Sequence, residues 1–394
     1  MHVSAPSPTD VPDLLRTTAA ATPLPDPKDF VRSLLDRRSD FGISRVGAIT
    51  RLDRVGVPVV QVVRPLALSN AVNQGKGADI HQATISAMLE ALEMWAGEHI
   101  REDSVFTAPA AALGDGVRAL YGLCRIAPTA WETESLDWTI GHDLLSGRDM
   151  PVPLALVDTR YSLPSPHPPL FPRTTTGLAA GQTLARAVRH AALEVLEKDA
   201  VVSARRRPFF FDRWGIDLDS VDGPCEPILA RIRAAGLLCG IWQVPANHDL
   251  PIYWCRIMEA DENRELAPLP ADGFGCDPTH DGALAKALLE ACQARVGAIA
   301  GAREDITRRL YPSSQDRQVV SEWRSALLSP GNKRRFAPER PSPGGGPHVH
   351  DRILEALRAE GAEAALVVPL YRSCDPPLHV LRLVVPGLRH GERH

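Results

Sequence analysis

Gly75-Lys-Gly-Ala-Asp-Ile-His-Gln-Ala-Thr-Ile-Ser-Ala-Met-Leu-Glu-Ala-Leu-Glu-Met-Trp-Ala-Gly97 is the stretch on which the reading of the chain turns. A glycine-flanked lysine leads into a segment of helical periodicity that is apolar nearly all round. Between Ile85 and Gly97 only Glu90 and Glu93 carry charge. A helix of that composition reads as buried, and a buried carboxylate needs compensation. Glu90 and Glu93 stand three residues apart, and Ser86 lies four before Glu90, so all three project from one face. Two carboxylates and a hydroxyl on the polar strip of a buried helix call for a cation. An arginine from elsewhere in the chain or a hard ion such as Mg2+ meets that need.

The totals set the frame. A chain of 394 residues has room for one large domain or two, and its 44% hydrophobic and 23% charged content is that of a globular protein. A net charge of −4 gives no basic excess, so nucleic acid is not an expected partner. No apolar run approaches the ~20 residues that cross a bilayer. Met-His-Val-Ser-Ala-Pro-Ser-Pro has neither a charged nor an apolar segment of the signal-peptide kind. The seven cysteines are odd in number and scattered without a Cys-x-x-Cys, which argues against a disulfide framework or a structural zinc site. A cytoplasmic protein with free thiols and core cysteines is expected.

The expected organisation is a loose lead-in over residues 1–28 and a single domain over 29–394, broken by a Pro/Ser/Gly/Arg-rich excursion at about 311–347. Residues 29–38 read as a short amphipathic helix. Two β-branched runs, 44–49 and 57–64, are joined by a turn at Leu52–Gly56. Residues 100–150 read as mixed connections, and 151–157 as a strand. A glycine-rich turn within Thr174–Gln182 opens a second long helix from about Thr183 to Val202. Along it Arg186, His190, Glu194 and Glu197 share one face, opposite Leu184, Val188, Ala191 and Val195. A helix at 227–235 and a strand pair at 237–244 and 251–258 follow. A third glycine turn, Gly273–Asp277, precedes a third apolar helix over about 282–300, with Glu290 and Gln293 on one face. A helix near 350–360 and strands at 365–370 and 379–385 close the chain. The fold class is α/β (α+β): mixed sheets with long buried helices that carry Glu-x-x-Glu pairs.

Glycine-rich turns ahead of helices suit phosphate, though none of the three matches a P-loop or dinucleotide fingerprint. A single Glu-x-x-Glu pair is by default a solvated face, His190 a structural histidine, and each glycine turn simply a turn. Repetition on apolar helices favours the sharper reading. Two such helices facing each other would supply four carboxylates, and Mg2+ bridging them to a nucleoside triphosphate would neutralise the charge.

These residues resemble the signatures of the YcaO family. Ser86-x3-Glu90-x2-Glu93 after Gly75-Lys-Gly is similar to its first signature. Thr176-Gly-Leu-Ala-Ala-Gly-Gln-Thr and His190-Ala-Ala-Leu-Glu194-Val-Leu-Glu197-Lys-Asp-Ala resemble the second. Gly273-Phe-Gly-Cys, Glu290-Ala-Cys-Gln293-Ala-Arg295 and Ala-Arg303-Glu-Asp305 resemble the third block. Leu52-Asp-Arg-Val-Gly-Val-Pro and the closing Pro386-Gly-Leu388 extend the match to roughly residues 42–310 and the last 45. The Leu-Asp-Arg-x-Gly-x-Pro segment and the Asn-Gln-Gly-Lys-Gly stretch are most similar to the branch that works with TfuA-like partners.

The resemblance implies a YcaO-type fold, often homodimeric, and an ATP-dependent enzyme that modifies a peptide backbone. In such proteins ATP activates a peptide amide oxygen by phosphorylation and a nucleophile attacks the activated carbon. Delivered sulfide gives a thioamide; a Cys, Ser or Thr side chain gives an azoline ring. Carried over by motif, Glu90, Glu93, Glu194 and Glu197 hold Mg2+ against the phosphates. Ser86, Glu90, Gln182, His190, Glu194, Glu290, Gln293 and Arg303 belong to the ATP site. Some positions depart from the pattern. The arginine that ends each Glu-x-x-Glu-Arg is Met94 in the first signature and Lys198 in the second. Ala179 replaces a serine, Gln182 an asparagine, Arg186 a glutamate, and Arg389 the glutamate after Pro-Gly-Leu. The ending Gly-Leu-Arg-His-Gly-Glu-Arg-His lacks the proline-rich tail common among azoline formers, which leans towards thioamidation with a sulfur-delivering TfuA-like partner acting on a peptide or protein. An azoline-forming cyclodehydratase is the alternative. A degenerate scaffold that binds nucleotide or peptide without turnover is a third reading, kept alive by Ala179, Arg186 and Lys198.

Overall fold

The computed structural model describes residues 7, 10–12, 25–124, 132–261, 269–302, 316–329, 331, 333–336 and 349–389. The chain opens with α1 (Pro27–Asp36), β1 (Arg45–Ala48), β2 (Val59–Val63), β3 (Val72–Lys76) and α2 (Ile80–Glu98). Next come β4 (Phe106–Pro109), β5 (Ser135–Asp143), β6 (Asp149–Pro153), β7 (Leu178–Gly181) and α3 (Leu184–Arg205). The third stretch holds β8 (Ile216–Asp217), α4 (Glu226–Ala234), β9 (Leu237–Gln243), β10 (Ile252–Glu259), β11 (Ala271–Cys276) and α5 (His280–Ala300). α6 (Arg317–Leu328), β12 (Arg334–Arg335), α7 (Val349–Ala359), β13 (Leu366–Cys374) and β14 (Pro377–Val384) complete the order. α6 and β12 lie inside the stretch expected to be a bare excursion.

Three antiparallel sheets carry the fold. Their orders are β1-β2-β3, β11-β10-β9 and β4-β5-β13-β14-β7, with β6 paired to β5. In each sheet one edge strand runs straight into a long helix: β3 into α2, β7 into α3 and β11 into α5. Asp79, Thr183 and Thr279 cap those helices, their side-chain oxygens accepting first-turn N–H groups. Each helix packs on its own strand and on the next one, α2 on β3 and β7, α3 on β7 and β11, α5 on β11 and β3. The three strand–helix units therefore close into a ring.

The glycines explain how the helices lie so close to their strands. A Cβ on Gly75 would stand 2.0 Å from the Ala87 nitrogen, and one on Gly273 would stand 2.2 Å from the Ala291 nitrogen. Glycine against alanine removes the side chains that would hold strand and helix apart. The segment Thr174–Gln182, expected to hold a glycine turn, thus contains β7, the expected turn Gly273–Asp277 is largely the second half of β11, and Lys76 ends β3. Their glycines serve packing rather than a phosphate-cradling turn.

Apolar faces were placed as expected: Leu184, Val188, Ala191 and Val195 are all buried. Each large aliphatic side chain so buried contributes about 1.5–3 kcal/mol. Arg295 is buried in ion pairs with Asp53 at 3.0 Å and Glu259 at 2.7 Å, and Arg54 reaches Glu259 at 2.6 Å. The Leu52-Asp-Arg motif and the third block are thus joined by charges outside the ring's polar centre. Five cysteines are buried, Cys374 is exposed, and all seven are free. Among the described residues no helix is long and apolar enough to cross a membrane.

Candidate active site at the centre of three strand–helix units

Counted from their caps, the three helices carry the same polar stripe. Seven residues on stand Ser86, His190 and Lys286; eleven on, Glu90, Glu194 and Glu290; fourteen on, Glu93, Glu197 and Gln293. Helical geometry aligns such positions along one face. The sequence pairs two helices; the structure adds α5 as an equal third.

The last position of each stripe reaches the edge strand of the next unit. The Ala180 N–H on β7 donates to Glu93 Oε1 at 2.7 Å. The Cys276 N–H on β11 donates to Glu197 Oε2 at 3.2 Å. Gln293 Nε2 donates to the Gln74 carbonyl on β3 at 2.8 Å. Glu194 and Glu290 instead take bonds from their own units, from the Gly177 N–H at 3.1 Å and from the Phe274 N–H. These N–H groups face away from the sheet ladders, where an edge strand leaves donors without sheet partners. Carboxylates and an amide thus satisfy the edges and tie the ring together.

Charge at the centre is only partly balanced. Lys76 Nζ pairs with Glu290 Oε2 at 2.7 Å, and Lys198 Nζ with Glu197 Oε1 at 3.1 Å. Burial alone would raise Glu290, but Lys76 and Lys198 outweigh it and hold the carboxyl below its ordinary range. Lys198 is raised: burial works against its charge, yet Glu197, Glu290 and Glu194 retain the proton. Among the described residues no cation pairs with Glu93. Burial, Glu90 and Glu194 push it well above its usual range against the Ala180 N–H. Burial likewise pushes Glu194 up to about 7, Glu197 adding to the effect while Lys198 and the Gly177 N–H oppose it. His190 is lowered to about 4 by its crowded surroundings, Lys286 and Lys76, although its ring is exposed to solvent.

Among the expected residues, Ser86, Glu90, Glu93, His190, Glu194, Glu197, Glu290 and Gln293 all lie on the three stripes. Gln182 precedes the α3 cap and is half-buried. Arg303 lies outside the described residues. Arg186 is exposed in the first turn of α3, about 12 Å of helix rise from Glu194. Its reversed charge does not sit among the carboxylates. Sequence reasoning gave Lys76 no partner and missed Lys286 and Arg382. Lys76 finds Glu290 across 214 positions, which no local pattern reveals. Arg382 on β14 is 5% exposed, donates to the Thr174 carbonyl at 2.6 Å and lies within electrostatic reach of Glu194. A lone arginine in the apolar strand Leu-Arg-Leu-Val-Val was the available signal.

A hard divalent cation fits this chemistry. Oxygen donors come from three helices, and burial together with neighbouring carboxylates raises two of the carboxyls, Glu93 and Glu194. Among the described residues no three His, Cys, Asp or Glu side chains stand close enough to cage an ion. Mg2+ takes one or two carboxylates and fills its shell with phosphate oxygens and water.

Residues 74–389 match the family described as YcaO cyclodehydratase, ATP- and Mg2+-binding. The chain belongs to the YcaO family. ATP and Mg2+ are that family's cofactors, and its members are ATP-dependent enzymes that act on peptides. One YcaO relative, from Rhizobium leguminosarum bv. trifolii, is described as an uncharacterized protein in the tfuA 3′ region. It is 30% identical over 95% of this chain and 91% of its own. Another, from Methanothermobacter thermautotrophicus, is 31% identical over 92% and 94%. The YcaO structure from Methanopyrus kandleri, bound with AMPPCP and Mg2+, shares the fold with a TM-score of 0.67 at 22% identity, covering 93% of this chain and 91% of that one. A heterocyclase in complex with substrate and cofactor has a TM-score of 0.65 at 19% identity, over 91% of this chain and 52% of the other.

Proposed function

We propose that this YcaO protein is a peptide-backbone thioamide synthetase, working with a separate TfuA-like protein that delivers sulfur. The observation that carries an ATP-dependent reaction is the ring of five glutamates on three converging helices, two of them raised by burial and by one another's charge. Glu90, Glu93, Glu194 and Glu197 are assigned to Mg2+, and Ser86, Gln182, His190, Glu290, Gln293 and Arg303 to the rim of the nucleotide. When bound, Mg-ATP supplies the phosphoryl group that turns the amide oxygen into a leaving group. The protein's own contribution is positional: the stripes fix the phosphates, and Lys76 and Lys198 hold Glu290 and Glu197 in place. His190, lowered to about 4, is neutral at pH 7 and adds no positive charge.

Thioamidation is favoured over ring formation by the relative whose description places it in the tfuA 3′ region. The family description as cyclodehydratase keeps azoline formation as the second reading. Of the three substitutions behind the non-catalytic scaffold reading, Arg186 is exposed in the first turn of α3, which leaves Ala179 and Lys198. A homodimer in the cytoplasm remains the expected setting. The test is to incubate the protein with ATP, Mg2+, sulfide and a candidate peptide, and weigh the peptide. Exchange of oxygen for sulfur adds about 16 Da, and dehydration to a ring removes about 18 Da. The gain is predicted; the loss, or no change with no phosphate released, contradicts it.

A further inference from the structure

Where α3 ends, the chain reads Arg205-Arg-Arg-Pro-Phe-Phe-Phe-Asp-Arg213, and all of it except Phe210 is exposed. Phe209 is 65% and Phe211 40% exposed. Phe209 has φ 58° and is the one non-glycine residue with positive φ among the described residues. A bulky side chain rarely adopts that conformation, and strain of this kind persists only where the surroundings enforce it. Here the enforcement is visible. Phe210 is buried with its ring 5.8 Å from Trp254, and Trp242 Nε1 donates to the Phe211 carbonyl at 2.8 Å. The turn is pinned from inside: Phe209 is held outwards, while Phe211 rests edge-on against Trp242 and Trp254 at 5.1 Å with its other edge in solvent. Around them stand Arg205, Arg206, Arg207 and Arg213 against the single Asp212, with the Arg213 guanidinium 5.6 Å from the Phe209 ring.

The patch is continuous with the carboxylate ring. The Arg205 guanidinium lies 6.0 Å from the Phe274 ring, and Lys198 Nζ lies 5.5 Å from the same ring. Phe274 also gives its N–H to Glu290. One aromatic side chain therefore separates a site rich in negative charge from a surface rich in positive charge. We propose that Arg205–Arg213 is a docking surface for an acidic segment of the peptide substrate that carries an aromatic residue. The ring repels carboxylates and the arginines attract them, so the charge pattern fixes which part of a peptide enters and which stays outside. Exposed phenylalanines flanked by arginines suit an aromatic anchor with acidic neighbours. Arg205 lies eight residues along α3 from Glu197, about 12 Å of rise. An extended peptide covers that in about four residues. The acidic segment accordingly lies about four residues from the amide to be modified. This inference rests on the reading of the protein as a peptide modifier.

The test is binding, without ATP or sulfide, of a fluorescein-labelled peptide with an Asp-Asp-Phe segment, against its Asn-Asn-Phe counterpart, followed by anisotropy. The acidic peptide binds more tightly, and its affinity drops as salt shortens the Debye length from about 10 Å at 0.1 M to about 3 Å at 1 M. Arg206→Glu combined with Arg207→Glu weakens it about tenfold, and Phe209→Ala weakens both peptides, while Mg2+-dependent ATP binding is unchanged. Equal affinity for the two peptides, or no effect of the charge reversal, overturns the proposal. So does a change in oligomeric state in that variant, which makes the patch an interface between copies of this chain. If the acidic peptide binds as described but no thioamide forms, the docking surface stands and the thioamide reading fails.

Discussion

At Glu194, burial raises the carboxyl from its ordinary 4.5 to about 7, Lys198 and the Gly177 N–H pull it back, and Glu197 pushes it further up. Between about 4.5 and 7 the folded protein holds a proton there that the unfolded chain has released. Without cation or nucleotide, stability therefore declines as pH rises across that window and levels off above it. His190 acts with the opposite sign. Lowered from 6.5 to about 4, it makes stability rise between those values, so the two slopes partly cancel below about 6.5. Glu194→Gln isolates the glutamate's share, since the amide oxygen can still accept the Gly177 N–H. The variant should match the native chain near pH 4.5 and exceed it above pH 7. The gain is at most about 3 kcal/mol, less whatever water screens at this partly exposed group. Denaturant melts at several pH values measure it, and a pH-independent difference between the two proteins contradicts the assignment.

The strand–helix unit is the element on which the site depends. Gly75 is the tightest contact, because its added Cβ would meet the Ala87 nitrogen at 2.0 Å and the Ala83 carbonyl at 2.5 Å. Gly75→Ala is expected to push β3 off α2, at a cost of about 1–3 kcal/mol or more. Lys76, the next residue, moves with the strand, so its pairing with Glu290 and Mg2+-dependent ATP binding weaken together. A thermal melt and a nucleotide titration on one preparation check both, and a variant as stable as the native chain sinks the packing argument. The same glycines limited what the sequence revealed. α2, α3 and α5 were legible because apolar periodicity with isolated carboxylates is rare in a solvated helix. β3, β7 and β11 were not, since Val-Asn-Gln-Gly-Lys, Leu-Ala-Ala-Gly and Ala-Asp-Gly-Phe-Gly-Cys are poor in β-branched residues. They are strands because a helix packs against them, which local propensity does not register. β4 and β5, within a stretch read as mixed connections, were missed too.

For the whole molecule, the ring turns a sequence repeat into a site. Each unit alone offers a stripe of two or three polar side chains on an apolar helix, which is unremarkable. Closing the units brings five glutamates, Lys76, Lys198 and Lys286 around one centre, and the last residue of each stripe fastens the next unit's edge. The glutamates were visible in the sequence; their neighbours were not, because Lys76 with Glu290 and Glu93 with Ala180 join positions far apart in the chain. Arg186 shows the converse, a substitution in a signature that the fold sets in solvent at the start of α3. The claim on which the account stands is that these carboxylates hold ATP through Mg2+. Titrating ATP into the native protein, Glu90→Gln and Glu197→Gln, each with Mg2+ and with chelator, tests it most directly. Tight binding that needs Mg2+ in the native chain and falls more than about tenfold in both variants is predicted, a loss of at least about 1.4 kcal/mol. Unchanged Mg2+-dependent affinity in both variants would contradict it.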